Sequence, residues 1–366
     1  MGTRRAALTV MIKPASAACN LACDYCFYLD TASHRAEASW PAMADDVAEA
    51  IIRRSLDEAD FVHFVFQGGE PSLAGLPFFE RFVARATEYK DEGQTIAWAF
   101  QTNGLLIDEA WSAFFIKHDF LVGISFDGTP RLHDLHRIHR GGEGSGRSVA
   151  RAIRVAKEQG VAFNVLSVVT NQMADNTAQA WTWLIEHGIN YHQYIPCMDP
   201  IGGEQSFLSP ASYTRFLKQS FDLWYDSFMG GQEISVRFFD NIVGMLLGLE
   251  PESCDMAGIC SANYVVESNG NVYPCDFYCT DDQVLGNILT DSYAALDERR
   301  RTLRFIEDSP NTIDECGTCP WKVLCRGGCK RYRGEEGYRF CSSMKEFFPY
   351  AIKRFEDIAQ IIGGSR

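Results

Sequence analysis

The sequence predicts an α/β protein, in which a partial (β/α)6 barrel of the TIM type is followed by a cysteine-rich domain and a C-terminal helix. Short apolar runs alternate with helix-like stretches up to about residue 200, a pattern typical of repeated strand–helix units and a parallel sheet. Nine of the thirteen cysteines then lie between Cys254 and Cys341. Apolar side chains recur at three- and four-residue steps between residues 348 and 362, which predicts an amphipathic helix ending at Gly363 and Gly364.

The composition excludes several classes of protein. Hydrophobic residues make up 46% of the 366 residues and charged residues 22%, so the chain can bury enough apolar surface for two or three compact domains. The formal net charge of −14 argues against a basic surface for nucleic acid or an anionic membrane. No apolar run approaches the roughly 20 residues of a membrane-spanning helix, and the start of the chain is typical of a strand rather than of a signal peptide. We therefore expect a cytoplasmic protein with neither a membrane nor a nucleic-acid partner.

Six predicted strands build the barrel, and each is followed by a polar or glycine-containing loop. They end at Pro14, Gln67, Gln101, Phe126, Val169 and Cys197. Because the carboxyl ends of parallel strands lie on one rim, the loops after these strands should face a shared cleft. We expect the functional residues in those loops.

The remaining elements set the predicted domain limits. Helix-like runs begin near Met43 and Asp108, and two more cover residues 212–228 and 238–249. Residues 264–275 predict a β-hairpin, because an Asn-Gly pair separates two alternating runs. The predicted division is the barrel at 1–208, a helical connector at 209–250, the cysteine-rich domain at 251–343 and the C-terminal helix at 344–366.

The first cysteine motif follows the first predicted strand. Cys19, Cys23 and Cys26 have the spacing C-x3-C-x2-C, which supplies three thiolates rather than four. A structural zinc ion takes four protein ligands, whereas a 4Fe–4S cube held by three cysteines leaves one iron open to a small molecule. Three buried thiols, or a zinc site completed by His34, are the alternatives that the spacing leaves open.

This motif, placed after strand one, resembles that of the radical S-adenosylmethionine (SAM) superfamily, in which the open iron chelates SAM. The resemblance implies that Tyr25 neighbours the adenine, and that Gly68, Gly69 and Glu70 meet the methionine amino group. Small residues allow close backbone approach, and a carboxylate can pair with an ammonium group.

Further SAM contacts are implied at the ends of later strands. By the same resemblance, Ser125 and Arg137 bind the ribose and carboxylate side of SAM, and Met198 contacts the adenine. Taken singly, each residue also has an ordinary structural interpretation: Ser125 as a helix cap, Arg137 as a solvated surface residue and Met198 as a core residue.

Eight of the later cysteines suffice for two further metal sites. Two structural zinc ions in a ribbon-like fold are one interpretation, because paired C-x2-C motifs are common zinc ligands. The spacing also resembles that of the SPASM domain, which carries two auxiliary 4Fe–4S clusters. The resemblance assigns Cys254, Cys260, Cys275 and Cys329 to the first cluster, and Cys316, Cys319, Cys325 and Cys341 to the second. Cys197 and Cys279 are left over and are expected to be buried thiols.

Motifs along nearly the whole chain resemble those of anaerobic sulfatase-maturating enzymes. They include KPASAACNLACDYCFY, FVFQGGEPSLAG, QYIPCMDP, VYPCDFY and CRGGC. The resemblance implies that Asp276 is the general base and that Tyr28 and Gln67 position the substrate side chain. Ser72, where threonine is common in the family, and the additional Cys279 are departures from the family pattern.

The resemblance also implies an activity. A 5'-deoxyadenosyl radical from SAM would take a hydrogen atom from a cysteine or serine in an unfolded sulfatase, giving Cα-formylglycine. Three 4Fe–4S clusters and an electron donor such as a flavodoxin or a ferredoxin are then expected. Two other hypotheses remain open at this stage: a SPASM enzyme that modifies another ribosomal peptide, and a zinc-stabilised binding protein without catalysis. The CDFY segment favours the sulfatase-maturating interpretation.

Overall fold

The structure is a computed structural model that describes residues 4–203, 207–310 and 313–364. The predicted domain limits at residues 1 and 366 lie outside these ranges. Twelve strands occur within the described residues: β1 (Arg5–Lys13), β2 (Ala59–Phe66), β3 (Thr95–Thr102), β4 (Phe120–Ser125), β5 (Phe163–Val169), β6 (Tyr191–Pro196), β7 (Ser235–Val236), β8 (Tyr264–Glu267), β9 (Asn271–Tyr273), β10 (Gly286–Asn287), β11 (Arg333–Gly334) and β12 (Gly337–Tyr338).

Helices connect most of these strands. The described residues contain fifteen α-helices: α1 (Phe27–Ser33), α2 (Asp45–Glu58), α3 (Leu76–Tyr89), α4 (Glu109–Lys117), α5 (Pro130–His133), α6 (Gly146–Gln159), α7 (Asn171–Asp175), α8 (Thr177–Glu186), α9 (Pro210–Met229), α10 (Arg237–Leu246), α11 (Cys254–Ala257), α12 (Tyr293–Thr302), α13 (Asp314–Gly317), α14 (Lys322–Cys325) and α15 (Cys341–Gly364). Short 3₁₀ helices cover Pro71–Ala74, Asp276–Tyr278, Asp281–Gln283 and Lys330–Tyr332.

Local sequence signals explain where the helices begin. Asp108 precedes α4, and its carboxylate accepts hydrogen bonds from the backbone N–H groups of Ala110 and Trp111, both at 3.0 Å. Ser209 precedes α9, and its hydroxyl accepts from the Ser212 N–H at 3.1 Å. Such caps satisfy backbone donors that have no partner within the helix.

The chain forms two compact units. The first consists of Met1–Ser125, Asp134–Phe163 and Ala262–Phe305, and the second of Phe126–His133, Asn164–Ser261 and Ile306–Arg366. The domain limits derived from the sequence stay a prediction.

The first unit contains a mainly parallel sheet with the strand order β10-β9-β8-β1-β2-β3-β4. On one side of β1 lies the parallel series β2, β3 and β4. On its other side β8 pairs with it in parallel register, so that Lys13 lies opposite Glu267. The hairpin β8–β9, with Gly270 at φ 88° in its turn, therefore extends the same sheet as β1.

Aromatic side chains fill the layer between this sheet and helices α3 and α4. Phe100 on β3 is 1% exposed. Its ring centroid lies 5.1 Å from that of Phe79, 5.4 Å from that of Trp111 and 5.2 Å from that of Phe115. Aromatic pairs at these separations add to the stability that burial provides.

In the second unit, β5, β6 and β7 are parallel neighbours, and α9, α10 and α15 form an aromatic core. The ring of Phe221 on α9 lies 4.5 Å from that of Phe355 on α15, and Trp224 and Phe239 pack around the same pair. No helix in the described ranges is both long enough and apolar enough to cross a membrane.

The predicted α/β class is confirmed. The six predicted strands are present, and each ends within one residue of its expected end. The predicted C-terminal helix is also present and begins at Cys341.

Replacement of Phe100 should test the aromatic layer. Phe100→Ala should lower the free energy of unfolding by about 3–5 kcal/mol, because it leaves a cavity among three rings. Phe61→Ala on the neighbouring strand β2, where the side chain is 37% exposed, should cost less than about 1 kcal/mol. Denaturant unfolding of the two cluster-loaded variants measures both values, and equal losses would contradict the assignment of Phe100 to the core.

Candidate active site

The three-cysteine loop lies between β1 and α1, and Cys26 is the N-cap residue directly before α1. Two nitrogen donors approach the Cys19 sulfur: the backbone N–H of Leu21 at 3.4 Å and the Asn103 amide at 3.7 Å. Burial raises the pKa of the Cys19 thiol, and these two N–H donors oppose the rise, because N–H groups directed at a sulfur stabilise the thiolate form that binds iron. The donor set therefore fits a cluster held by three cysteines.

The glycine motif after β2 packs directly against the start of this loop. The Gly69 N–H donates to the Ser16 carbonyl and the Glu70 N–H to the Ala18 carbonyl, both at 2.8 Å. A Cβ atom at position 69 would lie 2.2 Å from the Ala18 carbonyl oxygen. Only glycine permits this approach. Gly68, at φ 136°, completes the turn.

Glu70 is fully buried, and both of its carboxylate oxygens accept hydrogen bonds from other residues of the chain. Its Oε1 accepts from the Ser72 N–H at 3.0 Å, the Ser72 hydroxyl at 2.6 Å and the Thr102 hydroxyl at 2.8 Å, and its Oε2 accepts from the Asn103 N–H at 2.7 Å. Burial raises the pKa of this carboxyl group, and the hydrogen bonds oppose the rise. Glu70 thus holds in place the loop that carries Asn103, and its contact with SAM stays a prediction.

The other expected SAM residues of the first unit lie at two places. The Arg137 guanidinium carbon lies 5.4 Å from the ring centroid of Tyr25, a cation–π arrangement, and the ring of His136 lies 5.2 Å from the same ring. Ser125, at the end of β4, accepts a hydrogen bond from the Gln101 amide at 3.1 Å. Met198 belongs to the second unit, where it is buried.

The structure separates His34 from the cysteine loop. His34 caps the far end of α1, where its Nδ1 lies 2.8 Å from the Asp30 carbonyl oxygen. At 1.5 Å per residue, the helix places Cys26 and His34 about 12 Å apart along its axis. These two residues therefore cannot share a zinc ion. Within the described ranges, no three histidine, cysteine or carboxylate side chains surround a single metal-ion position.

A buried ion pair lies at the end of β1. The Lys13 ammonium donates a hydrogen bond to the Oδ1 of Asp276, and the Gln67 amide donates to its Oδ2 at 2.7 Å. The Lys13 side chain is 0% exposed and that of Asp276 is 10% exposed. The structure thus brings together two of the expected substrate-site residues, Gln67 and Asp276, and adds a lysine that the sequence analysis did not select.

Tyr28 joins this pair to a second buried pair. Its ring centroid lies 3.7 Å from the Lys13 Nζ, and its hydroxyl donates to the Oε1 of Glu267. Arg35 donates to the same Oε1 at 2.8 Å, and both of these charged side chains are 0% exposed. Burial raises the pKa of the Tyr28 hydroxyl well above its ordinary value, and neighbouring Glu267 adds to the rise. Tyr28 therefore stays a neutral donor.

The two unassigned cysteines are both buried. Cys279 is 0% exposed and packs against Tyr28 and Tyr273, and its sulfur donates to the Cys275 carbonyl at 3.6 Å. Cys197 is 2% exposed and follows β6.

Four cysteines of the second unit line one pocket: Cys316, Cys319, Cys325 and Cys341. Burial raises the pKa of the Cys325 thiol to about 11, and the three other thiols of the pocket add to the rise. Positive charge beside these sulfurs, such as that of iron ions, would favour their thiolate forms. The donor set therefore fits the expected second auxiliary cluster.

The other auxiliary set is distributed over both units. Cys254, Cys260 and Cys329 lie in the second unit, and burial raises the pKa of the Cys329 thiol to about 12, with a further contribution from the other two residues. Cys275 lies in the first unit, directly before Asp276. Its assignment to this cluster stays a prediction.

A glycine pair separates Cys325 from Cys329. Gly327 and Gly328 have φ angles of 82° and 61°, and a Cβ atom on Gly328 would lie 2.3 Å from the Tyr338 ring. The predicted ligand sets assign these two cysteines to different clusters, and that division stays a prediction.

The sequence analysis missed Lys13, Glu267, Arg35 and Asn103. A usable signal existed for two of them, because Lys13 and Glu267 are charged residues at the ends of the apolar runs LTVMIK and YVVE. Charged residues are seldom fully buried unless they are paired.

Comparisons with known proteins agree with this geometry. Residues 14–178 match the radical SAM superfamily, and residues 256–320 match the SPASM iron–sulfur cluster-binding domain. The fold, the three-cysteine loop and these matches define a radical SAM protein with a SPASM domain.

The similarity to individual proteins extends over the whole chain. A cysteine-type anaerobic sulfatase-maturating enzyme from Clostridium perfringens (strain 13 / Type A) is 41% identical over 97% of this chain and 99% of its own length. A serine-type enzyme from Klebsiella pneumoniae is 32% identical over 97% of this chain and 90% of its own length. The solved structure of native anSMEcpe with bound AdoMet and Cp18Cys peptide has a TM-score of 0.91 and 40% identity, covering 97% of this chain and 99% of that one. The chain belongs to the family of anaerobic sulfatase-maturating enzymes.

This membership makes the chain a radical SAM oxidoreductase that uses iron–sulfur clusters. The hypothesis of a non-catalytic, zinc-stabilised binding protein is therefore wrong.

Removal of one thiol from the loop should remove a cluster. Cys19→Ala should lower the iron content by about four atoms per chain, since a 4Fe–4S cube would lose one of three ligands, and SAM cleavage should stop. Cys279→Ala is the matched control, because it removes a buried thiol outside the predicted ligand sets and should leave the iron content unchanged. Iron analysis of anaerobically purified protein measures both, and equal iron loss in the two variants would contradict the assignment.

Proposed function

We propose that the chain oxidises a cysteine or serine side chain of an unfolded sulfatase polypeptide to Cα-formylglycine. The observation that carries the proposal is the Asp276 carboxylate, which is buried and fixed by Lys13 and Gln67 in the same compact unit as the three-cysteine loop. The membership of the chain in the sulfatase-maturating family supplies the substrate class.

The reaction requires a base as well as a radical. When bound, a cluster held by Cys19, Cys23 and Cys26 together with SAM would supply a 5'-deoxyadenosyl radical able to take a hydrogen atom from the β-carbon of the substrate. Asp276 takes the proton of the substrate thiol or hydroxyl group, since a carboxylate within hydrogen-bonding reach can act as a general base. Loss of that proton makes it easier for the remaining electron to leave. Two hydrogens thus depart from the substrate, one as an atom and one as a proton plus an electron.

Other residues of the chain would position the substrate, bind SAM and hold the clusters. Gln67 and Tyr28 would position the substrate side chain, as the family resemblance implies. Both lie beside the proposed base: the Gln67 amide donates to Asp276, and the Tyr28 ring contacts the Lys13 ammonium group that binds Asp276. Residues that would surround SAM are Tyr25, Gly68, Gly69, Glu70, Ser125, Arg137 and Met198. The loop cysteines would hold one 4Fe–4S cluster, and the two sets of four cysteines would hold two more, three in all.

The proposed reaction needs both an electron donor and an electron acceptor. One electron must enter to cleave SAM, so a carrier such as a flavodoxin or a ferredoxin is needed. The cysteines of the two auxiliary sets would hold clusters able to accept the electron that leaves the substrate. The many cysteines suit the reducing cytoplasm, where thiols and clusters persist.

A cysteine substrate is favoured over serine. The cysteine-type relative is 41% identical to the chain, whereas the serine-type relative is 32% identical over an equal share of it.

A direct assay with two peptides tests the function and the preference. Anaerobic incubation with SAM, a reductant and a sulfatase-derived peptide should yield 5'-deoxyadenosine and a formylglycine peptide. The serine peptide would be two hydrogens lighter, and the cysteine peptide would in addition exchange sulfur for oxygen on hydrolysis. Mass spectrometry measures both, and we expect the cysteine peptide to react faster. Unchanged peptides in the presence of active SAM cleavage would overturn the proposal.

Substitution of the base should separate radical formation from product formation. Asp276→Asn should retain the clusters and form 5'-deoxyadenosine, while formylglycine formation falls by about 10²–10⁴-fold, the range typical of general-base catalysis. Quantification of both products by chromatography and mass spectrometry measures the effect. Full product formation by this variant would remove Asp276 from its role.

A further inference from the structure

Lys13 is a charged residue in one of the most buried positions of the first unit. It is the last residue of β1 and its side chain is 0% exposed. An ammonium group in such a place is strongly disfavoured unless opposite charge surrounds it. Burial lowers the pKa of Lys13, but its neighbours, Asp276 first and Glu267 among the others, together more than offset this, so its pKa is raised overall. The lysine is therefore a permanent cation of the site.

The surroundings of Lys13 fix its ammonium group at one point. Asp276 accepts its hydrogen bond, and the Tyr28 ring lies beneath it at 3.7 Å from the ring centroid. Opposite Lys13 in the β1–β8 register lies Glu267. Anionic groups and the negative face of an aromatic ring thus surround this single cation.

The second ion pair holds Tyr28 in turn. The Tyr28 hydroxyl donates to Glu267, and Arg35 binds the same carboxylate oxygen. With its hydroxyl occupied at this end, Tyr28 presents its ring to Lys13. Two cations, Lys13 and Arg35, match two anions, Asp276 and Glu267, so the buried network is electrically neutral.

Each carboxylate oxygen of Asp276 accepts a hydrogen bond from a residue at the end of a different strand. Oδ1 accepts from Lys13 at the end of β1, and Oδ2 accepts from Gln67 directly after β2. Two donors on opposite oxygens fix the plane of a carboxylate, whereas one donor leaves it free to rotate about the Cβ–Cγ bond.

We propose that Lys13 is a positioning residue that holds the Asp276 carboxylate in the plane needed for proton transfer. Tyr28 acts through Lys13, because its ring supports the Lys13 ammonium group. This inference rests on the proposed function, because it assigns Lys13 to the base of that reaction. A misplacement of about 1 Å at a reacting group can cost roughly 100-fold in rate, which sets the expected effect.

Three variants test the role of Lys13. Lys13→Met keeps the length of the side chain and removes the charge, Lys13→Arg keeps the charge, and Lys353→Met removes a lysine from an exposed ion pair with Asp357. The measured quantity is formylglycine formed per 5'-deoxyadenosine formed. We expect Lys13→Met to lower this ratio by about 100-fold, Lys13→Arg to restore a large part of it, and Lys353→Met to leave it unchanged. An unchanged ratio in Lys13→Met, or no recovery in Lys13→Arg, would overturn the inference.

A stability cycle separates this inference from the proposed function and from misfolding. Melting temperatures are compared for the wild-type protein, Lys13→Met, Asp276→Asn and the double variant, all with intact iron content. If the two residues act on each other, the double variant loses much less than the sum of the single losses. Should the wild-type protein make no formylglycine, the proposed function fails and the role of Lys13 in proton transfer fails with it, while this cycle still shows whether Lys13 holds the Asp276 carboxylate. Additive losses would overturn the interaction on which the inference depends, whatever the activity assay gives.

Discussion

The parallel pairing of β1 with β8 is the constraint on which the candidate active site depends. It aligns Lys13 with Glu267 and brings the hairpin β8–β9 beside the strand that leads into the three-cysteine loop. Asp276 follows that hairpin directly. One strand pairing therefore places the base of the proposed reaction and the loop that would bind the radical-generating cluster at the same end of β1.

Strand β2, which pairs with β1 on the side away from β8, also constrains the cysteine loop. The loop after β2 approaches the backbone of residues 16–18 so closely that Gly69 admits no side chain, and buried Glu70 then fixes the loop after β3. Through Asn103 this second contact reaches the Cys19 sulfur. The cysteine loop is thus supported from β2 and β3, while Asp276, the proposed base, is supported from β8 and β9, and β1 joins the two sides.

Most of the fold could be predicted from the sequence, and part of the site could not. Strands β1 to β6 and the hairpin turn follow from local periodicity and turn residues, which depend only on neighbours in the chain. Asp276 was found because a family motif surrounds it. The partners of Lys13 and Arg35 are distant in sequence, and local patterns contain no information on which strands pair across such a separation. A charge at the end of an apolar run signals burial, but it does not identify the opposite charge.

The buried ion-pair network of the first unit and the buried cysteines of the second unit both need opposite charge nearby, and they obtain it in different ways. In the first unit, the buried cations Lys13 and Arg35 are matched by carboxylates of the chain itself, so this network needs no bound group. In the second unit, burial raises the pKa of Cys325 to about 11 and that of Cys329 to about 12, so cations beside these sulfurs would favour their thiolate forms. Binding of iron to these sulfurs, as predicted, would be coupled to the stability of the cysteine-rich segments, because a metal binds the folded thiolate form. The predicted base is fixed by residues of the chain itself, whereas the predicted cluster sites would be completed only by their metal.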